Sequence, residues 1–408
     1  MDAYLANYDM VVIALLTIFT FNVVLNALAF TNVRRPGSRR SRDWDEPKVS
    51  VLIPARNEAH QIGLCLESLS RQTYRNLEVI VLDDCSEDAT LDVIREAGFS
   101  DRPKSKLRYL TGQALPKGWA GKPWACYQLS RQATGDYLLF TDADTVHHSQ
   151  SVESAMKMAM ERDTDLLSVW PHQITETWSE KLVIPMIYLL GQMWIPFWFL
   201  RLVQKSPGLK RCVPKFLWKD FGVANGQYML FKRSAYKEIG SHQVVKDHLV
   251  EDVALGREVA KRIPKGWRLL NADGHAIVEC RMYRDFLGVW EGFSKNLRPV
   301  FEKRGYAFFG VGLVMVVTML LPFVWFVLRE QPWLVTIQAQ LILLIRLILT
   351  IRFRTDWLSL ALHPFAMLLS LLIGMNSWRQ SKTGTISWKR RQYDFSTGES
   401  PKQSENVG

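Results

Sequence analysis

Two signatures that would point to a common nucleotide chemistry are missing from these 408 residues: there is no Gly-x-Gly-x-x-Gly turn and no P-loop lysine motif. Their absence argues against a dinucleotide oxidoreductase and against an NTPase. Cysteine is sparse. The five, Cys65, Cys85, Cys126, Cys212 and Cys280, are odd in number and show neither Cys-x-x-Cys spacing nor histidine pairing, which offers no zinc site and fits reduced thiols in a cytosolic domain. Charge is missing altogether from Met10 to Phe30, where Asn22 and Asn26 are the only strongly polar interruptions. That run is long enough to cross a bilayer. No basic residue precedes it and no small-residue cleavage site follows, which favours a membrane helix over a signal peptide. Acid is missing from the next stretch, where Arg34, Arg35, Arg39, Arg40 and Arg42 come before Asp43. The positive-inside rule keeps this flank cytoplasmic and leaves the N-terminus outside. The net charge of +11 does not imply nucleic acid, because the basic residues cluster beside apolar stretches; anionic membrane lipids are the expected partner.

From Lys48 onward, short apolar runs alternate with helical periods, the pattern of a βαβ layer with a parallel sheet. Val49 to Ile53 reads as the first strand and runs into Pro54-Ala55-Arg56-Asn57-Glu58; Ile62, Leu66 and Leu69 then mark a helix face. Leu77 to Leu82 reads as the second strand and ends in Asp83-Asp84. Ser86 has the chemistry of an N-cap, with Glu87 and Asp88 in the first turn. Leu107 to Leu110 is a third strand, and Gly118-Trp119-Ala120-Gly121-Lys122 opens another helix. The run Gly135 to Phe140 leads into Thr141-Asp142-Ala143-Asp144-Thr145.

Side chains two apart on an extended chain share a face, so Asp142 and Asp144 can converge on one hard cation, which would in turn hold phosphates. A polar turn after a strand explains the same three residues. Three strands, however, end in polar clusters: Arg56 with Glu58, Asp83 with Asp84, and Asp142 with Asp144. In open α/β sheets ligands bind beyond the carboxyl ends of the strands, so these clusters should share a crevice. Glu251-Asp252 begins a helix running through Ala260; an acidic first turn is favourable by itself. Leu182–Leu200 is apolar but interrupted by Pro185, Gln192 and Pro196. It reads as an interfacial or acceptor-groove helix within the catalytic domain, with a buried core helix as the other reading. Tyr283, Phe286, Leu287, Trp290 and Leu297 recur at helical spacing and describe an amphipathic helix in the interface plane. Three apolar segments follow, at 306–328, 333–351 and 357–375. The basic residues Arg352, Arg354, Arg379, Lys382, Lys389, Arg390 and Arg391 can all stay cytoplasmic only if the last segment does not cross completely, with a break at His363-Pro364.

The motifs at 49–58, 82–90, 121–122, 141–145 and 251–252 together resemble family 2 glycosyltransferases of GT-A fold, an α/β Rossmann-like nucleotide-sugar-binding domain flanked here by transmembrane helices. Ala224-Asn225-Gly226-Gln227, Arg281-Met282-Tyr283, Glu291 to Asn296 and Trp388 to Arg391 resemble the membrane-anchored branch that glycosylates carotenoid acids and related lipids, although Arg390 stands where that branch usually has glycine. The resemblance implies that Asp83 and Asp84 hold the donor nucleoside, with Ala55, Arg56 and Glu58 lining it and Lys122 on the phosphate side. It also implies that Asp144, assisted by Asp142 across Ala143, holds a divalent cation, Mn2+ or Mg2+, on the diphosphate. Asp252 matches the catalytic base, with Glu251 beside it. Asn225, Gln227, Trp290 and Lys295 fall on the acceptor side.

The implied organisation is an N-terminal transmembrane helix over 1–33, a GT-A domain over 48–280, an interfacial helix over 281–304, transmembrane segments over 305–376 and a basic to disordered cytoplasmic tail over 377–408. The implied activity is inverting transfer of one sugar from a nucleotide-sugar donor, UDP-linked by expectation, to a lipid at the plasma membrane, with the catalytic domain facing the cytoplasm. Processive family members such as cellulose and hyaluronan synthases carry Gln-x-x-Arg-Trp after the base; the tract Trp290 to Asn296 has no such motif, which makes a processive glycan synthase the weaker alternative. A catalytically silent GT-A scaffold is the other alternative, although it would be expected to lack the carboxylates that are present here.

Overall fold

The interior strand Val49–Ala55 is apolar except for Ser50 and almost wholly buried, as a strand inside a parallel sheet covered on both faces must be. In the computed structural model, which describes residues 2–35, 46–100, 106–302, 304–328, 333–384, 386–388 and 391–393, this strand anchors one of two compact units. That unit comprises residues 31–174, 201–282 and 383–408. Numbered along the chain, its strands up to residue 282 are β1 (Thr31–Asn32), β2 (Val49–Ala55), β3 (Leu77–Asp83), β4 (Leu107–Thr111), β5 (Tyr137–Thr141), β6 (Thr145–His147), β7 (Leu166–Trp170), β8 (His172–Gln173), β9 (Tyr228–Lys232), β10 (Leu269–Asp273) and β11 (Val278–Cys280). The main sheet runs β1-β10-β7-β9-β5-β2-β3-β4, and β6-β11-β8 form a small second sheet.

All pairings in the main sheet are parallel except those of β9, which runs antiparallel between β5 and β7. In register, Ala55 lies opposite Asp83, and Leu52 opposite Phe140. Three strand ends that carry charged residues therefore lie at the same end of the sheet. The core on one face is formed by Val49, Val51 and Ile53 with Ile62, Leu66 and Leu69 of the helix Ile62–Ser70.

The second strand corrects one expectation. Ser86 is not an N-cap: the helix begins at Thr90, with Ala89 preceding it, and the Ser86 hydroxyl accepts from the Asn57 amide (3.0 Å). Asp88 takes up the local donors instead, accepting from Thr90 N (3.0 Å) and Ala59 N (3.2 Å). The Glu251–Ala260 helix has the bounds read from the sequence.

The other unit comprises residues 1–30, 175–200 and 283–382. The 182–200 stretch thus groups with the apolar helices and not with the sheet, as Trp178–Val183, Pro185–Trp194 and the start of Phe197–Lys205. Three helices among the described residues are long and apolar enough to cross a membrane, Ala6–Ala29, Gly305–Leu328 and Trp333–Phe353; a fourth candidate is the pair Trp178–Trp194 and Phe197–Lys205, bent by 45°. Asn22 and Asn26, the two polar interruptions of the first helix, serve that bend. Asn22 Nδ2 donates to the Gln192 and Met193 carbonyls (both 3.0 Å), and Asn26 Nδ2 to those of Gln192 (2.9 Å) and Ile195 (2.7 Å). The backbone groups freed where the helix breaks find partners inside the protein, as a low-dielectric environment requires. The 357–375 segment divides at Leu362 into Trp357–Ala361 and His363–Thr383. Arg39, Arg40, Arg42, Lys389 and Arg390 lie outside the described residues.

Beneath the sheet, Glu78 ties three segments together. Its carboxylate accepts from the Ser50 hydroxyl and from Thr134 N (2.7 Å) and Oγ1 (2.9 Å), and it pairs with Lys48 (3.3 Å). Burial alone would raise its pKa, but these partners outweigh that and hold it below the usual glutamate value. A depressed carboxyl pKa contributes stability above the unfolded-state value of about 4.3 and loses it as pH falls through the folded value. Glu78→Gln is expected to cost about 1–3 kcal/mol at pH 7. Thermal unfolding of the detergent-solubilised chain should show a lower midpoint for the variant at pH 7, and the two midpoints should converge as the pH falls through the depressed Glu78 value.

Candidate active site

The loops after β2 and β3 are laced to each other. Arg56 donates Nη1 to the Asp84 and Cys85 carbonyls (both 2.7 Å) and pairs with Glu87 (3.2 Å). Asn57 Oδ1 accepts from Glu87 N (2.9 Å), Thr90 Oγ1 from Glu58 N (2.8 Å), and Asp84 N donates to the Ala55 carbonyl (2.7 Å). Asp83 and Asp84 are buried at this junction. Ala55, Arg56, Glu58, Asp83 and Asp84 therefore lie together at the ends of two neighbouring strands, with the Arg56 side chain holding the loop carbonyls.

The turn after β5 rests on a floor of hydroxyls. Thr145 Oγ1 donates to the Asp142 carbonyl (2.7 Å), closing the Asp142-Ala143-Asp144 turn, and Thr141 Oγ1 donates to the Gln227 carbonyl (2.7 Å). His147 lies below them, against Thr141 (3.2 Å) and Thr145 (3.0 Å). Burial pushes its imidazole down to about 3, so this ring is neutral. The Cys280 thiol, at the end of β11, hydrogen-bonds the Asp144 carboxylate.

One lysine joins this turn to the acidic helix start. Lys122 Nζ stands 2.7 Å from Asp142 Oδ1 and 2.9 Å from Glu251 Oε1. Burial opposes its charge, but Asp142, Glu251 and Asp252 outweigh burial and hold its pKa well above the ordinary lysine value. Asp252 Oδ2 accepts from Gly226 N (2.7 Å), and Oδ1 from Val253 N (2.7 Å). A Cβ at Gly226 would stand 3.0 Å from Asp252 Oδ2 and 3.1 Å from Lys122 Nζ, so a side chain there would crowd both groups. Burial first, then the charge of Glu251, push the Asp252 carboxyl up to about 6, against the pull of Lys122 and the two amides. A carboxylate whose pKa lies near 6, next to an ion pair whose acidic member is buried, has the character of a general base.

The remaining expected residues are placed as follows. Asn225 Oδ1 accepts from Gln227 N (2.9 Å), shaping the loop. Gln227 is 5% exposed; its amide donates to Cys280 Sγ (2.9 Å) and accepts from Gln173 Nε2 (2.8 Å). Both ends of that side chain therefore face the interior. Trp290 and Lys295 lie on Phe286–Leu297 in the helical unit. Gly226, Thr141, Thr145, His147 and Cys280 are site-supporting residues that sequence reasoning missed. Only Gly226 carried a signal, its place between two polar residues before a strand.

Among the described residues, no three His, Cys, Asp or Glu side chains converge as a metal site. Two hard carboxylates one residue apart, one of them already neutralised by an ammonium group, are nevertheless a donor set suited to a divalent cation whose other ligands come from phosphate and water.

The same burial that raises the Cys280 and Cys126 thiol pKa values well above normal should make them inert, since the thiolate is the reactive form. Brief treatment of the folded chain with N-ethylmaleimide at pH 7.5 is expected to label the exposed Cys85 and to leave Cys126 and Cys280 unmodified until denaturant is added; peptide mass spectrometry reads this directly.

Residues 50–240 match the family model Glycosyl transferase family 2. A 4,4'-diaponeurosporenoate glycosyltransferase from Staphylococcus aureus (strain USA300) is 25% identical, aligned over 94% of this chain and 97% of its own length. The protein of the same name from Staphylococcus haemolyticus (strain JCSC1435) is 28% identical over 61% of this chain and 60% of its own. Among solved structures, the mannosyltransferase PcManGT from Pyrobaculum calidifontis, in complex with GDP-Man and Mn2+, aligns with a TM-score of 0.49 at 16% identity, over 91% of this chain and 98% of that one.

Proposed function

Because this chain is a family 2 glycosyltransferase of GT-A fold, we propose that it moves a single sugar, with inversion, from a nucleoside diphosphate donor to a membrane lipid of the carotenoid-acid class. The observation that carries the reading is Lys122, which links the turn after β5 to Glu251, the neighbour of Asp252. A donor held between them would have its diphosphate by the turn and its anomeric carbon toward the base. The 25% identity across nearly the whole of the Staphylococcus aureus enzyme supports the acceptor class. The three helices able to cross a membrane support a multi-pass protein at the plasma membrane, and the basic flank Arg34–Arg35 supports a catalytic domain on the cytoplasmic side.

In this reading Asp83, Asp84 and the Arg56-braced loop hold the nucleoside, UDP by expectation, beside Ala55 and Glu58. Asp142 and Asp144, with Ala143 between them, would hold a divalent cation, Mn2+ or Mg2+, which when bound supplies positive charge to the leaving diphosphate. Lys122 adds a second positive charge from the protein. Asp252 accepts the proton of an acceptor hydroxyl as its oxygen attacks the anomeric carbon from the face opposite the leaving group, and Glu251 keeps the pKa of that base high. Asn225 and Gln227 shape the loop beside the base, and Trp290 and Lys295 belong to the acceptor side. A carboxylate acceptor would already be ionised and has no proton to give up.

That difference yields a test. With an alcohol acceptor, the rate of the wild type should rise with pH through about 6, as Asp252 ionises beside Glu251 and Lys122. Asp252→Asn should lose about two to four powers of ten with donor affinity unchanged. With a carboxylic-acid acceptor the same substitution should cost far less. A parallel fall in donor affinity would remove Asp252 from the role of base. Product size on mass analysis separates single transfer from processive synthesis.

Asp144→Ala is expected to abolish transfer, and EDTA should reproduce the loss in the wild type and be reversed by added Mn2+. Turnover by the variant near the wild-type rate, still dependent on metal, would contradict the assignment of Asp142 and Asp144.

A further inference from the structure

Arg346 lies in the middle of the apolar helix Trp333–Phe353 and is 1% exposed. A guanidinium offers five N–H donors and is always charged. Here Nη1 reaches only the thioether of Met186 (3.5 Å), a weak acceptor, and Nη2 reaches the hydroxyl of Ser359, while Nε has no partner. The Ser359 hydroxyl gives its own proton to the Leu182 carbonyl (3.1 Å). Among the described residues no carboxylate pairs with Arg346. The acid on the adjoining segment, Asp356, is turned to Lys181 (3.4 Å).

A second buried polar group in the same unit is also short of a partner. His363 is fully buried and lies within electrostatic reach of Arg346. Its Nε2 faces the Met319 carbonyl (3.1 Å), an acceptor, so Nε2 carries the proton and Nδ1 is left with an unused lone pair. All of these residues belong to the helical unit.

An ionised side chain in such surroundings is costly unless an opposite charge meets it, and within membranes such residues mark ligand positions. Arg346 lies seven residues before the end of its helix, about 10 Å along the axis at 1.5 Å per residue. Arg352 and Arg354 follow at that end, which by the positive-inside rule is the cytoplasmic one. A depth of that order below a membrane surface admits the head group of a lipid far more readily than a free ion.

We infer that Arg346, with Ser359 and His363, forms a binding site for the oxyanion head group of a membrane-embedded lipid, a carboxylate or a phosphate. The planar fork of the guanidinium matches either anion in two-point contact. An acid head group that retains one proton could also give a hydrogen bond to His363 Nδ1. Met186 is the partner that such a ligand replaces, since a flexible thioether yields with little loss. The site goes beyond the glycosyl transfer proposed above, and its occupancy is measured without donor sugar, so either reading can fail alone.

The test uses the purified full chain in a non-ionic detergent, with native mass spectrometry for stoichiometry and thermal unfolding for affinity. The probes are oleate, methyl oleate, dioleoyl phosphatidate and inorganic phosphate. One molecule of oleate or of phosphatidate per chain is expected to bind and stabilise the wild type; whichever binds more tightly identifies the head group as carboxylate or phosphate. Methyl oleate, of the same length but uncharged, should not compete. Arg346→Met should weaken binding about ten- to hundredfold, the worth of charge-assisted hydrogen bonds converted to affinity. Where that variant does not accumulate as folded protein, Arg346→Lys, which keeps the charge and loses the fork, should still weaken binding about tenfold. Equal binding of methyl oleate, undiminished binding by a folded Arg346 variant, or binding of inorganic phosphate without either lipid would overturn the proposal.

Discussion

Four carboxylates on two separate stretches of chain could not sit at one end of a sheet without a cation among them, and in this protein the cation nearest to hand is the ammonium of Lys122. It stands between Asp142 and Glu251, within reach of Asp252. Remove that charge and the repulsion between these carboxylates would push protons onto them or push the loops apart. The pull of Lys122 opposes burial and Glu251 in setting the Asp252 carboxyl near 6, and Gly226 lies close against both Lys122 and Asp252. An exposed pair would contribute little; here the acidic partner, Glu251, is almost fully buried.

Much of the sheet was legible because its strands are short runs of apolar residues bounded by charge, and a strand buried on both faces has little freedom to be anything else. Val49–Ala55, Leu77–Asp83 and Tyr137–Thr141 read this way, as did the acidic start of the helix Glu251–Ala260. Ser86 misled, because capping chemistry within a polar loop can serve a neighbouring strand's backbone as well as a helix; its hydroxyl went to Asn57. The supports of the site were less legible still. Cys280 reaches Asp144 and Gln227 only after 136 residues of chain have folded back, and nothing local to Val278-Glu279-Cys280 announces it. Lys122 could be read as a lysine near phosphates, but not as a bridge, since bridging is a relation among three distant positions.

Polar residues in the helical unit follow a different rule. Asn22 and Asn26 look from the sequence like blemishes in an apolar span, yet each amide fills a vacancy left where Pro185–Trp194 gives way to Phe197–Lys205. Trp198 closes the arrangement, its indole donating to Asn22 Oδ1 (2.9 Å) and its backbone amide to Asn26 Oδ1 (3.1 Å). Side-chain amides can donate and accept at once, which is why asparagine suits a helix break better than a hydroxyl or a charge would.

The antiparallel strand β9 has a consequence for how the chain is made. It fills the middle of the main sheet, between β5 and β7, but it is synthesised only after the chain has left for residues 175–200 of the helical unit and returned. A ribosome at work on that excursion has already released β5 with one ladder edge open and β7 with both, since β10 also comes later in the chain. Open edges in a nascent domain invite wrong pairing. Placing the 175–200 helices is therefore a step on the assembly path of the main sheet, and any delay there prolongs the time those edges stay bare. A pause at that step would be felt first as misfolding of the unit that carries the sheet.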